Sequence, residues 1–320
     1  AKVDRILFDG GRAVGVRYKK RGRIREERAS GEVILSAGAL ASPTVLMRSG
    51  LGPEEHLSQH GISVLHHLPG VGRNLQENPI AFPGAFVNVS THNTELTPYR
   101  FVKHGLNWLL FGKGPAAGPV VHAAAFIRTR PDQESRPDIQ LQLFPVIYAS
   151  EPGTPVRFLD RPGVLVGVNT CRPRSCSEIG LRSPNPDDPP SIRSNLFSDP
   201  DDLERTIAGC RVVREIFAAR AFAPYFEQEF LPGPGVQTDA EYEQFLRFST
   251  LPAYHPVGTC KMGIGEDAVV DERLRVLGVE GLRVVDASVM PVIPSANTNA
   301  PTIMVAERAS DLILEDRSRA

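Results

Sequence analysis

The stretch "GEVILSAGALASPTVLMRSGLG", residues 31–52, decides the fold class. Val33, Ile34 and Leu35 form an apolar run of strand length, and "SPTVLMRSGLG" predicts a helix directly after it. Ser42 suits the N-cap and Pro43 the first helical position, while Gly50 or Gly52 suits the end. Upstream, "DRILFDGGRAVGVRYKK" predicts strand, Gly-Gly turn, strand. A sheet followed at once by a helix is α/β packing, here with a hairpin at its start. From about residue 80 the character changes. Pro-rich turns such as "RTRPDQESRPD" and "SPNPDDPPS" alternate with strand-like runs such as "DIQLQLFPVIY" and "GVLVGVNTC", which fit an antiparallel sheet. One helix stands out at 199–219, with Leu203, Ile207, Val212, Ile216 and Phe217 as its expected buried stripe. The end returns to strand, loop and helix in "LRVVDAS" and "PTIMVAERASDLILED". The expectation is an α/β (α+β) chain. Segments 1–79 and 251–320 are pieces of one α/β domain, and 80–250 is an inserted, mainly antiparallel β-sheet domain flanked by helices.

Composition narrows the function classes. The chain has 320 residues, net charge −1 and 41% apolar residues, so it can bury a sizeable core but carries no basic face for nucleic acid. No apolar run reaches the length of a transmembrane segment. Residues 1–20 are rich in Lys and Arg and lack an apolar core, so no signal peptide is expected there. The start, "AKVDRILFDG", reads like the middle of a strand, and truncation of a longer chain is an expectation from the first residue. The four cysteines, Cys171, Cys176, Cys210 and Cys260, are few and scattered, which favours a reduced, cytoplasmic setting. No metal is expected: His56 and His60 share a helix face without further ligands.

Two stretches carry candidate chemistry. "AYHPVGTCKMG" (253–263) holds His255 between Tyr254 and Pro256, and Pro256 restricts His255 to an extended backbone. "VVDASVMPVIPSANTNAPTIMVAERASDLI" (284–313) ends a strand at Asp286 and passes an Asn-rich loop into a helix. Imidazole titrates near neutrality and suits proton transfer. Pro301 suits the first helical position, which puts Ala300 at a cap it cannot make, leaving first-turn N–H groups for a ligand.

With "GALASPTVLMRSGLG" (38–52), "GVGRNLQENP" (70–79) and "RPRSCSEIGLRSPNPDDPPSI" (172–192), these stretches follow in order along the whole chain. Together they resemble the glucose–methanol–choline (GMC) flavin oxidoreductases, in the choline dehydrogenase-like and alcohol dehydrogenase-like branch. The resemblance implies FAD as cofactor, a small-molecule alcohol as substrate, and hydride transfer to flavin N5. It makes 1–79 and 251–320 parts of an FAD-binding domain and 80–250 the substrate-binding domain. It implies His255 as catalytic base and Asn297 as its partner, with Asn299 as the rival two residues on. It gives Val3, Ala37, Gly38, Asp286, Ala287, Asn297, Pro301 and Thr302 as cofactor-binding residues. Glu77-Asn78 departs from the family's usual Asp-His. The family's G-x-G-x-x-G turn does not occur in this sequence. The chain therefore resembles a C-terminal portion, expected to be inactive in isolation, to self-associate, or to need the N-terminal FAD-binding segment as partner. Two other readings stand beside this one: a hydrolase built on His255, Asp286 and Ser288, and a non-catalytic remnant or binding module without flavin. Oxidase, dehydrogenase and lyase activities all occur among relatives. A choline cage could draw on Trp108, Phe111, Tyr148 and Phe158.

Overall fold

The computed structural model describes residues 1–95, 97–149, 156–295 and 297–319. The chain divides into two units. The first comprises Ala1–Glu77, Pro173–Ser198 and the chain from Tyr254 onward; the second comprises Asn78–Arg172 and Asp199–Ala253.

The first unit opens with the antiparallel strands Lys2–Asp9 and Arg12–Lys20, joined through Gly10-Gly11. A third strand, Arg23–Arg28, extends this sheet. Its sequence, RIREER, is exposed at every position, so no apolar alternation announced it; backbone pairing with Arg12–Lys20 and the Tyr18 hydroxyl on Glu27 at 3.1 Å hold it in register. Val33–Leu35 pairs in parallel with Leu282–Val284. Val33 and Leu35 point into the core with Leu282 and Val284, while Ile34 remains 46% exposed. The helix Ser42–Arg48 follows, and all seven of its residues are buried. Ser42 is not its cap: Ala41 occupies that position without a side-chain bond. The core gathers Leu46, Met47, Leu51, Leu57, Val269 and Val270 around these strands. The last helix, Asn299–Arg319, is fastened near its end by Asp316. Arg283 and Arg273 donate to that carboxylate at 2.6 and 2.8 Å, and Arg275 also binds it, which holds the carboxyl below its usual range.

The segment 173–198 falls outside the unit that boundaries at 80 and 250 would give it. Ser177 and Leu75 exchange backbone bonds at 2.7 and 3.0 Å, and Ile179 N–H donates to Gly72 at 2.8 Å. Those pairings draw the hairpin Glu178–Gly180/Ser191–Arg193 into the first unit.

The second unit is an antiparallel sheet. Its strands run Phe226–Leu231, Gly84–Val87, Gly163–Thr170, Ile139–Phe144 and Ala123–Ile127, with Pro79–Ala81 and Leu251–Pro252 attached. Gly163–Thr170 is buried throughout, which explains its unbroken apolar run. The helix Pro200–Ala218 is capped by Asp199, whose side chain accepts from Asp201 N–H. Its buried stripe is Leu203, Ile207, Cys210, Val213 and Phe217. Val212 is only half-buried and Ile216 is exposed, because the true 3–4 spacing runs through Cys210.

Candidate active site

His255 is half-buried and meets Asn297 directly, with Asn297 Nδ2 2.9 Å from His255 Nε2. With the amide N–H donating, Nε2 is the acceptor and a neutral ring carries its proton on Nδ1. Burial lowers the imidazole pKa, so the ring stays neutral at lower pH than a solvated histidine. The backbone N–H of His255 donates to both oxygens of Glu77, at 2.8 and 3.1 Å. The preceding residue, Tyr254, sits at φ 62 with its side chain out, 83% exposed. A left-handed non-glycine is uncommon, and here it directly precedes the histidine.

The run "RNLQE" (73–77), part of a stretch whose motif showed no role for its side chains, is the scaffold of the site. Asn74 Nδ2 donates to the carbonyls of Gly258 and Pro291 at 3.3 and 3.2 Å. Gln76 pairs through its backbone with Val257, donates Nε2 to Pro291 O at 3.0 Å and accepts from Ile293 N–H at 2.9 Å. One short segment thus holds the histidine loop and the loop leading to Asn297. Gly258 makes the approach possible: at φ 91, an added Cβ would fall 2.4 Å from Asn74 O. The polar Asn-x-Gln-Glu pattern was the available signal.

Asp286 is buried at the end of its strand. Its carboxylate accepts from Gly38 N–H at 2.9 Å, Ser42 Oγ–H at 2.6 Å and Ser288 N–H at 2.8 Å. Ser42 in turn accepts from Ala37 N–H at 3.1 Å. Ala37, Gly38, Asp286 and Ala287 therefore share one cluster where the parallel strands end, and Ser42 is its buried latch rather than a helix cap. Val3 stands apart on the first hairpin, its carbonyl 3.4 Å from Arg48 Nη2. The last helix begins at Asn299, two residues before the expected start, and Thr302 N–H bonds to Thr298 O at 3.0 Å. Thr298 thus takes the cap position expected at Ala300, and Pro301 is the third helical residue, where it also lacks no needed donor.

This geometry does not assemble a hydrolase. Ser288 is fully buried and its own N–H is on Asp286, so it offers no nucleophile to a substrate. Among the described residues no three His, Cys, Asp or Glu side chains gather to hold a metal. His56 Nε2 instead accepts from Leu181 N–H at 2.9 Å. No disulfide joins Cys171, Cys176, Cys210 or Cys260. The candidate cage residues divide: Tyr148 and Phe158 meet edge-on at 6.4 Å, while Trp108 lines a cavity with Phe101.

The residues present fit an FAD along the strand ends. Gly38, at φ 87, has open space where a Cβ would point, and Ser36 and Ala37 are exposed, so bare backbone faces outward. Asn299 and Ala300, also exposed, open a 21-residue helix whose N-terminus favours negative charge.

The hairpin and parallel strand pair of one unit and the antiparallel sheet of the other make a mixed α/β fold that solved FAD-containing oxidases share. The chain belongs to the GMC oxidoreductase family: profiles of that description match residues 1–80 and 173–306. It is 42% identical over 326 residues to oxygen-dependent choline dehydrogenase 1 of Chromohalobacter salexigens, covering 98% of this chain and 56% of that protein. It is 44% identical over 314 residues to the mitochondrial choline dehydrogenase of Homo sapiens, covering 97% and 52%. A solved formate oxidase of Aspergillus oryzae RIB40, studied for modification of its FAD, superposes with a TM-score of 0.89 at 25% identity, over 99% of this chain and 60% of that one. The chain spans about half the length of the curated relatives it matches. FAD is the cofactor that membership of this family carries.

Proposed function

We propose that this chain supplies the proton-handling site of an FAD-dependent enzyme that oxidises a choline-like or aliphatic alcohol. The observation that carries the reading is the 2.9 Å contact between a neutral, half-buried His255 and Asn297. FAD, which Gly38 and the other strand-end residues would hold, would supply the acceptor for the hydride of the carbinol carbon. A substrate hydroxyl replaces the Asn297 amide as donor to His255 Nε2, and the released amide N–H donates to the same oxygen. His255 then takes the hydroxyl proton as the carbonyl forms, and Asn297 steadies the oxygen. Asn297 cannot itself act as a base. Val3, Ala37, Gly38, Asp286, Ala287, Pro301 and Thr302 contribute to the cofactor side. The carboxylate of Asp286 is committed to Gly38, Ser42 and Ser288, so it acts by shaping the strand ends.

In flavin-loaded enzyme, His255→Ala lowers the rate of anaerobic flavin reduction by roughly two to four powers of ten, while the visible flavin spectrum persists. A flavin-loaded variant that turns over at the wild-type rate refutes the assignment.

A further inference from the structure

The helix Pro98–Phe111 has no buried residue, although most of its fourteen side chains are apolar. Tyr99, Val102, Leu106, Leu109 and Leu110 fall within an arc of about 100° at helical spacing. Their exposure runs from 53% at Leu106 to 79% at Tyr99. Phe101 and Trp108 flank that arc and line an open, mainly apolar cavity of about 490 Å³ with Gly105, Pro115 and Ala116. Arg100, Lys103 and Asn107 occupy the adjoining arc. Both ends are closed locally: Thr97 accepts from Arg100 N–H, and Gly112, at φ 63, donates to Trp108 O at 2.8 Å. The helix therefore stands on its own caps while presenting a wide apolar face to solvent, the pattern of an interaction surface.

Charge indicates what covers it. From Thr97 to Ile127 the chain carries Arg100, Lys103 and Lys113 and no Asp or Glu, in a protein whose net charge is −1. Glu95, just before this stretch, binds Arg100 and His104, each at 2.8 Å. Lys103, next to the apolar arc, and Lys113, just past the helix end, both remain exposed. A second copy of the chain would bring like charges together across a symmetric contact. A helix of fourteen residues is about 21 Å long, shorter than a bilayer core of about 30 Å. No helix among the described residues is long and apolar enough to cross a membrane. We propose that Pro98–Phe111 lies in the plane of an anionic lipid surface, burying its Leu/Trp face among the acyl chains with Lys103 and Lys113 at the headgroups.

Trp108 is the only tryptophan in the chain, so its emission reports on this helix alone. Phosphatidylglycerol-rich vesicles are expected to shift Trp108 emission to shorter wavelength, brominated lipids to quench it, and the protein to float with the vesicles. Leu109→Asp with Leu110→Asp, both at well-exposed positions and so compatible with folding, abolishes flotation. Lys103→Gln with Lys113→Gln weakens partitioning to phosphatidylglycerol about thirtyfold, from about 1 kcal/mol per cation. Unshifted wild-type emission with anionic vesicles overturns the proposal. So does equal binding to phosphatidylcholine, or a dimer in light scattering that occupies this face and does not float.

Discussion

Removing the Glu77 carboxylate tests how the histidine is aimed. Tyr254, at φ 62, holds a left-handed conformation that costs a side-chain-bearing residue about 1–2 kcal/mol. The adjacent amide, His255 N–H, donates to Glu77 at 2.8 and 3.1 Å, and a bond to a charged acceptor contributes about 1.5–3 kcal/mol. The bond is large enough to offset the strain, by about 1 kcal/mol. In Glu77→Ala the offset is gone, and relaxation of Tyr254 turns His255 away from Asn297. If the unsupported strain of about 1–2 kcal/mol sets the new equilibrium, the competent fraction falls about five- to thirtyfold, and anaerobic flavin reduction falls with it. Glu77→Gln keeps a neutral acceptor worth about 1 kcal/mol and falls between. The diagnostic partner is Tyr254→Gly, because glycine adopts positive φ without the side-chain penalty. The double variant Glu77→Ala/Tyr254→Gly should recover to within about threefold of Tyr254→Gly alone. A double variant as slow as Glu77→Ala, or a Glu77→Ala enzyme at the wild-type rate, refutes the strain argument.

Asn297→Ala slows flavin reduction less than loss of His255, by an amount corresponding to about 0.5–1.5 kcal/mol for one ordinary hydrogen bond, since Asn297 is exposed; an effect at Asn299→Ala and none at Asn297→Ala moves the assignment to the rival. Because burial lowers the His255 pKa, the basic form persists below the ordinary histidine value of about 6.5, and the acid limb of kcat/KM lies below that pH. The sign for stability follows from the same shift. Near and below pH 6.5 the unfolded chain binds more protons at this residue, so its contribution falls on acidification, which an NMR titration of the ring and a pH series of denaturant midpoints both check. The 320-residue chain alone is expected to bind FAD weakly and to self-associate, since Ile34, Val292, Ile303 and Met304 expose apolar surface around a two-stranded parallel pair; submicromolar affinity by equilibrium titration, with alcohol-dependent dye reduction, contradicts this.

What the sequence showed and what it hid divide by distance along the chain. The opening hairpin, the strand before Ser42 and the helix at 200–218 were legible because their signals lie within a few residues. The strand Arg23–Arg28 was not, since it buries no face and has no alternation to display. Ser42 misled because a serine before a proline has the local form of a helix cap, whereas its hydroxyl is taken by Asp286, 244 residues away. The start of the last helix was misplaced for a related reason: Pro301 is tolerated anywhere in a first turn, so it marks the turn and not its first residue. His255 and Asn297 could be named from their motifs, but their contact spans 42 residues, and Gln76 reaches Pro291 across 215. Local pattern supplies the chemical groups, and the long-range bonds of Asn74, Gln76 and Glu77 supply their geometry. Substitutions in 74–77 should therefore alter the rate with His255 and Asn297 still present, whereas a His255 variant removes the group proposed as proton acceptor.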